Sequence, residues 1–90
     1  MQKKEIGIGI LGLGTIGSGV LSLLEENRSF IEQEIFPHKI KVIGLADLDA
    51  GRKPKPPVNY QFFTDQAQEV VEHPEIQIVV EAIGGRIPGL

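Results

Sequence analysis

The stretch "EIGIGILGLGTIGSGVLSLL", residues 5–24, constrains what this chain can fold into more than any other. It sets glycines at 7, 9, 12, 14, 17 and 19 among aliphatic residues. Glycine weakens helices and strands alike, and a flexible loop would be polar, which this segment is not. Three joined pieces resolve the conflict: a buried strand, a tight turn and a helix that begins at once. Glu5–Leu11 carries isoleucine at alternate positions with glycine between. Both faces are then apolar or bare, as in a central parallel strand covered on each side. From Ile16 the spacing becomes helical. Ile16, Val20, Leu24, Ile31 and Ile35 share one stripe with Leu21 and Leu23 alongside, while Glu25, Glu26, Glu32 and Gln33 face away. This helix either runs unbroken to about Phe36 or is interrupted near Asn27, and Pro37 ends it by holding Phe36 extended.

The remainder continues the alternation. Lys39–Ala46 (KIKVIGLA) reads as a second strand ending at Asp47. Residues 48–59 contain Pro54, Pro56 and Pro57, which forbid a helix and leave an irregular connection. Tyr60–Phe63 is a short third strand. Thr64 or Asp65 caps a helix of about two turns with Val70 and Val71 inward, closed near His73-Pro74. Gln77–Ile83 is a fourth strand, closed by Gly84-Gly85, and residues 85–90 have no clear pattern. Strands alternating with helices imply a parallel sheet with right-handed crossovers. The expected fold class is therefore α/β: a Rossmann-like parallel sheet of about four strands, order 3-2-1-4, with helices on both faces. Residues 1–90 read as one small domain, or part of a larger one.

Bulk properties remove several function classes. Nine Lys and Arg against twelve Asp and Glu leave a net charge of −3 without a basic patch, which excludes a nucleic-acid surface. No cysteine is present, so disulfides, thiolate metal sites and thiol nucleophiles are out, in keeping with a cytoplasmic protein. The glycines, Thr15, Ser18 and Ser22 keep the apolar run from 6 to 24 below the hydrophobicity of a membrane span.

Gly12-Leu13-Gly14-Thr15-Ile16-Gly17 matches G-x-G-x-x-G between a strand and a helix. In that setting Gly12 makes the sharp turn, Gly14 lets a pyrophosphate approach the backbone, and Gly17 lets the helix pack on the sheet. The free amides and dipole at the helix start suit a diphosphate. Gly7 and Gly9, inside the strand, fit close packing against a helix. Asp47 at the tip of the second strand either ends that strand or holds the adenosine ribose hydroxyls; with the glycine turn beside it, ribose binding is favoured. It stands 30 positions past Gly17, beyond the usual spacing of about 20, and the long first helix accounts for the delay. Glu81, if inward, needs a partner and is a structural acceptor or part of a site. His38 and His73 lie at element boundaries, away from strand carboxyl ends, and are read as surface residues. Arg52, Lys53 and Lys55 follow Asp47 on a loop from which one could reach a 2′-phosphate.

These residues resemble homoserine dehydrogenase. "GIGILGLGTIGSGVLSLL" is similar to the family's opening G-L-L-G-x-G-T-V-G-x-G-V, and "IKVIGLADLDAGRKP" to its second strand and D-x-x-K-P-R region. "FFTDQAQEVVEHPEIQIVVEAIGG" is the most specific match, sharing spacing, Pro74, Glu81 and the Gly84-Gly85 pair with that family. The resemblance implies NAD(P)-dependent interconversion of homoserine and aspartate semialdehyde, on the route to threonine and methionine. It implies that Gly12, Leu13, Gly14, Thr15, Ile16 and Gly17 hold the pyrophosphate and Asp47 neighbours the adenosine ribose. Ile83, Gly84 and Gly85 would lie beside the nicotinamide half. The cofactor would be NAD or NADP. Many members carry Arg immediately before the aspartate; Ala46 stands here, which tilts the expectation toward NAD. The family places its catalytic lysine and aspartate in a later domain, so this chain is expected to be a catalytically silent cofactor-binding fragment. Its fourth strand would then present a bare edge for homo-oligomer formation. The competing readings are another NAD(P)-dependent dehydrogenase or reductase, and a nucleotide-sensing module without chemistry.

Overall fold

The apolar run that opens the chain forms strand β1, Glu5–Leu11, and pairs with a parallel strand on either side. The computed structural model describes residues 4–83. In chain order the elements are β1, helix α1 (Thr15–Glu26), helix α2 (Arg28–Glu34), strand β2 (Lys39–Ala46), a 3-10 turn (Ala50–Arg52), strand β3 (Phe62–Thr64), helix α3 (Ala67–Val71) and strand β4 (Ile78–Glu81). The sheet is parallel with order β3-β2-β1-β4, the arrangement expected from the sequence.

Two apolar layers flank the sheet. On one face Ile8 and Ile10 of β1 meet Ile40, Val42 and Leu45 of β2 beneath Leu21, with Val20, Leu24, Ile31 and Ile35 packed over them. On the other, Leu11 and Ala46 pack with Val70 of α3. Val42 and Leu45 share a face although they stand three positions apart, an odd spacing in a strand. The register between β1 and β2 slips after Ile8, where Val42 is followed by Gly44 as the next partner, so Ile43 is the extra residue of a bulge. Close approach explains the strand glycines. A Cβ on Gly9 would lie 2.4 Å from Val70 Cγ1, as expected of contact with a helix. At Gly7 the neighbour is the backbone carbonyl of Glu75 instead, in the connection before β4.

Several boundaries differ from the sequence expectation, each for a local reason. The first helix takes the second of its two expected courses and breaks at Asn27, whose side-chain amide donates to the Leu23 carbonyl at 2.9 Å and competes with continued helix. Ile16 and Leu23 are 70% and 60% exposed rather than inward. Ile16 projects beyond the end of the sheet, and Leu23 lies on the opposite side of the helix from Leu21. β3 starts at Phe62, not Tyr60, because the Tyr60 hydroxyl donates to the Pro54 carbonyl and ties down the preceding loop. The loop after β2 does hold one 3-10 turn, since the residues before the prolines are unrestricted and Asp49 accepts the Gly51 amide at 2.8 Å. α3 spans five residues with Gln66 at its N-cap, and Thr64 Oγ1 accepts the Gln66 amide one step earlier. In so short a helix only Val70 is fully buried, with Ala67 packed beside it, and Val71 is 42% exposed. β4 is shorter than expected, although the Gln77 and Ala82 amides extend its ladder to Gly7 and Leu11.

Candidate functional site

The turn between β1 and α1 is built by two glycines that no other residue could replace. Gly12 has φ +94°, the left-handed region that side chains rarely adopt. Gly17 lies against it: a Cβ there would sit 1.7 Å from the Gly12 carbonyl oxygen, so the first turn of α1 rests on the backbone of the bend. Ser18 reinforces the joint by donating its hydroxyl to the Leu13 carbonyl at 2.8 Å. Gly14, the N-cap, differs. A Cβ there would meet only Arg52 Nη1, at 3.5 Å, so this glycine keeps a surface open rather than relieving a clash. The first bond of the helix runs from the Ser18 amide to the Gly14 carbonyl at 2.9 Å, which leaves the amides of Thr15, Ile16 and Gly17 ahead of any intrahelical acceptor.

That open surface forms one wall of a cleft of about 700 Å³ at the carboxyl edge of the sheet. Gly12, Gly14, Thr15 and Ile16 line it from the turn, Asp47 and Arg52 from beyond β2, and Ile83 from the end of β4. Ile16 and Leu48, 70% and 81% exposed, give it apolar walls. Its size is that of a small-molecule site, and its place is where ligands of open parallel sheets bind.

Asp47 is the charged centre of the cleft. It is buried, and its Oδ2 accepts the Leu13 amide at 2.7 Å and Arg52 Nη1 at 3.3 Å, while Oδ1 accepts the Asp49 amide at 2.8 Å. Burial pushes its pKa up, but the Asp49 and Leu13 amides and the Arg52 guanidinium together outweigh this and hold it below the ordinary carboxylate value. The carboxylate thus anchors the bend as well as facing the cleft.

The expected site residues sort into three groups. Gly12, Gly14, Thr15, Ile16, Asp47 and Ile83 come together on the cleft. Leu13 and Gly17 support it from behind: the Leu13 side chain is in the core with its amide engaged by Asp47, and Gly17 is buried in the first turn of α1. Gly84 and Gly85 lie outside the described residues. Glu81 is not inward: it is exposed and accepts the Ile83 amide at the end of its own strand. His73 stacks on Phe62 with ring centroids 5.3 Å apart, and neither it nor His38 lines the cleft. The sequence reading missed Leu48, Asp65, Gln66 and Gln68 as lining residues. Their one available signal was position, since each follows the carboxyl end of a parallel strand. Among the described residues no His, Cys, Asp and Glu cluster could hold a metal ion, and no helix is long and apolar enough to cross a membrane.

A glycine bend that opens helix-start amides onto the carboxyl edge of a 3-2-1-4 parallel sheet defines a Rossmann-like dinucleotide-binding domain. The model for the NAD-binding domain of homoserine dehydrogenase matches residues 12–87. The chain belongs to that family. It is 32% identical over 83 residues to homoserine dehydrogenase of Bacillus subtilis, covering 91% of this chain and 19% of that protein. The Helicobacter pylori homoserine dehydrogenase is 38% identical over 86 residues, covering 93% and 19%. The crystal structure of the S. aureus homoserine dehydrogenase at pH 7.5 superimposes with a TM-score of 0.81 at 32% identity, covering 97% of this chain and 21% of that one. The chain thus spans about a fifth of the length of these relatives.

Proposed function

We propose that this chain is the cofactor-binding part of a homoserine dehydrogenase, holding NAD or NADP for the interconversion of homoserine and aspartate semialdehyde, in the cytoplasm and on the route to threonine and methionine. The observation that carries this reading is Gly14: its missing side chain opens the cleft directly beside the unpaired amides of Thr15 and Ile16. Those amides, with the positive end of the α1 dipole, suit a pyrophosphate. The internally bonded Leu13 amide is left out of that set. Ile16 and Leu48 offer apolar surface to the adenosine, and Ile83, Gly84 and Gly85 are assigned to the nicotinamide side. The bound nicotinamide would supply hydride exchange; this chain's residues orient the dinucleotide. Reaction also requires the substrate to be held against the reacting ring. Residues 1–90 alone are therefore proposed to bind without turnover.

Titration of the ¹⁵N-labelled chain with NAD, NADP, ADP-ribose and ADP tests the reading. The amide signals of Gly14, Thr15 and Ile16 should shift on saturation, with the intact dinucleotides binding more tightly than ADP. Equal affinity for ADP would favour a nucleotide sensor, and unmoved signals would remove the cofactor assignment. Addition of homoserine should give no reduced-nicotinamide absorbance; appearance of that absorbance would refute the silent-fragment reading.

A further inference from the structure

We propose that His73 is an acid-sensitive latch at the start of strand β4: its neutral imidazole ties down the turn from α3 into β4, and protonation releases that turn and loosens its hold on β1. The device stands apart from the cofactor reading above, since His73 does not line the cleft.

His73 makes three of the turn's hydrogen bonds. Its amide donates to the Val70 carbonyl at 3.3 Å, its carbonyl accepts the Ile76 amide at 3.1 Å, and its Nδ1 accepts the Glu75 amide at 3.1 Å. Pro74 has no amide to contribute, so the bond from Glu75 to the ring closes the bend. An Nδ1 acceptor requires a neutral ring with its proton on Nε2. The imidazolium carries N–H on both nitrogens, and Nδ1 would then meet the Glu75 amide donor against donor. Flipping the ring gives no escape, because a C–H takes the place of Nδ1. Stacking on Phe62 of β3, with centroids 5.3 Å apart and planes at 27°, restrains the ring from swinging away. The ring is only half-buried, so a proton reaches it without unfolding.

The start of β4 depends on this turn. The Glu75 carbonyl is seated on Gly7, where a Cβ would come within 1.8 Å of it. Gln77 then exchanges two bonds with Gly7: its amide donates to the Gly7 carbonyl at 2.9 Å, and its Oε1 accepts the Gly7 amide at 2.6 Å. The charged groups about the ring come from several elements. α3 and its C-cap bring Glu69 and Glu72, the turn brings Glu75, and β1 and β2 bring Glu5 and Lys41 to the groove beside Pro74 and Glu75. β3 holds no charged residue. Among the described residues no carboxylate pairs with His73, and Glu72 is taken by Gln68 Nε2 at 2.7 Å. These carboxylates favour the imidazolium whether the turn is closed or open, so they do not restore the lost acceptor.

Nuclear magnetic resonance of the ¹⁵N-labelled chain from about pH 7.5 to about pH 5.5, where histidine changes charge, tests the latch in the wild type and in His73→Asn. The asparagine oxygen accepts the amide two residues on, as in an Asx turn, and does not titrate. In the wild type the ring nitrogens should report the Nε2–H tautomer at neutral pH, and the Glu75 amide signal should move as the ring protonates. Hydrogen-exchange protection of the Glu75 and Gln77 amides, corrected for intrinsic exchange, should fall by about fivefold, the scale of one hydrogen bond. In His73→Asn the Glu75 signal should stay in place and both protections should change by less than about twofold. An Nδ1–H tautomer in the wild type would overturn the proposal whether or not the variant folds. So would a Glu75 signal indifferent to the ring, or a Gln77 protection that holds while the ring protonates. An equal loss of protection in both proteins would overturn it too, because the sensor would then be another group, His38 first among them.

Discussion

Asp47 reaches back across 34 residues to hold the glycine bend, its Oδ2 accepting the Leu13 amide at 2.7 Å. The same carboxylate accepts the Asp49 amide through Oδ1. One side chain therefore fixes both the turn after β1 and the connection after β2, the two segments that face each other across the cleft. This arrangement places Asp47 in the stability of the fold as well as in the site.

Asp47→Asn should expose that role. The replacement keeps one acceptor oxygen, but its amide nitrogen must face either the Leu13 or the Asp49 N–H, donor against donor. The loss should be about 2 kcal/mol, the scale of a hydrogen bond to a charged group, with a fall in melting temperature of roughly 10 °C for a domain of this size. Because the folded-state pKa is lowered, the contribution of ionised Asp47 is fully present above the ordinary aspartate value, about 3.9, and is lost as pH falls through the lower folded value. Urea denaturation of both proteins from neutral to acid pH should show a constant gap down to about pH 4 that narrows below it. A gap of the same size throughout, or none at neutral pH, would refute the anchoring role.

The glycines of the turn should separate by substitution. Gly17→Ala drives a methyl group into the Gly12 carbonyl, 1.7 Å away, and neither backbone can yield without unseating α1. It should cost more than about 3 kcal/mol, in the range of severe overpacking. Gly14→Ala meets only a flexible arginine tip at 3.5 Å with an ordinary φ of −71°. Its stability cost should stay below about 1 kcal/mol, that of a poorer N-cap, while its methyl group projects onto the phosphate seat. Thermal melts paired with NADP titration should show Gly17→Ala failing in both and Gly14→Ala failing in binding alone. A Gly14→Ala chain that binds as well as the wild type would move the phosphates elsewhere.

What could be read from the sequence was whatever repeats locally. Alternate isoleucines before Gly12 and i, i+4 aliphatics after Gly17 specified a strand, a turn and a helix, and the strand order followed from their alternation. The features that escaped are contacts between distant positions, which leave no periodic trace. Arg28 donates to the Ile40 carbonyl at 2.9 Å and pins the helical corner to β2. Gln77 accepts the Gly7 amide at 2.6 Å and fixes the register of β4. The bulge at Ile43 looked like plain apolar strand, since every residue around it is apolar or glycine. At the site, the motif located the bend but not the partner of its Leu13 amide, because a carboxylate 34 positions away carries no mark of which donor it will choose.

The open side of β4 sets the last expectation. β4 pairs with β1 alone among the described residues, and Ile78 and Val79 on it are 49% and 39% exposed. An edge of this kind, with apolar side chains on show and its one charge, Glu81, at the far end, templates pairing with another chain. The 90-residue protein should therefore self-associate as concentration rises, with β4 meeting β4 of a second copy. Sedimentation velocity across a hundredfold concentration range should show the growth of a dimer, and Ile78→Lys should suppress it by placing charge on the edge. A single monomer boundary at every concentration would refute edge pairing. Association undiminished in Ile78→Lys would move the interface to another surface, of which the outer face of α1 and α2, where Leu23 and Phe30 are 60% and 62% exposed, is the first to test.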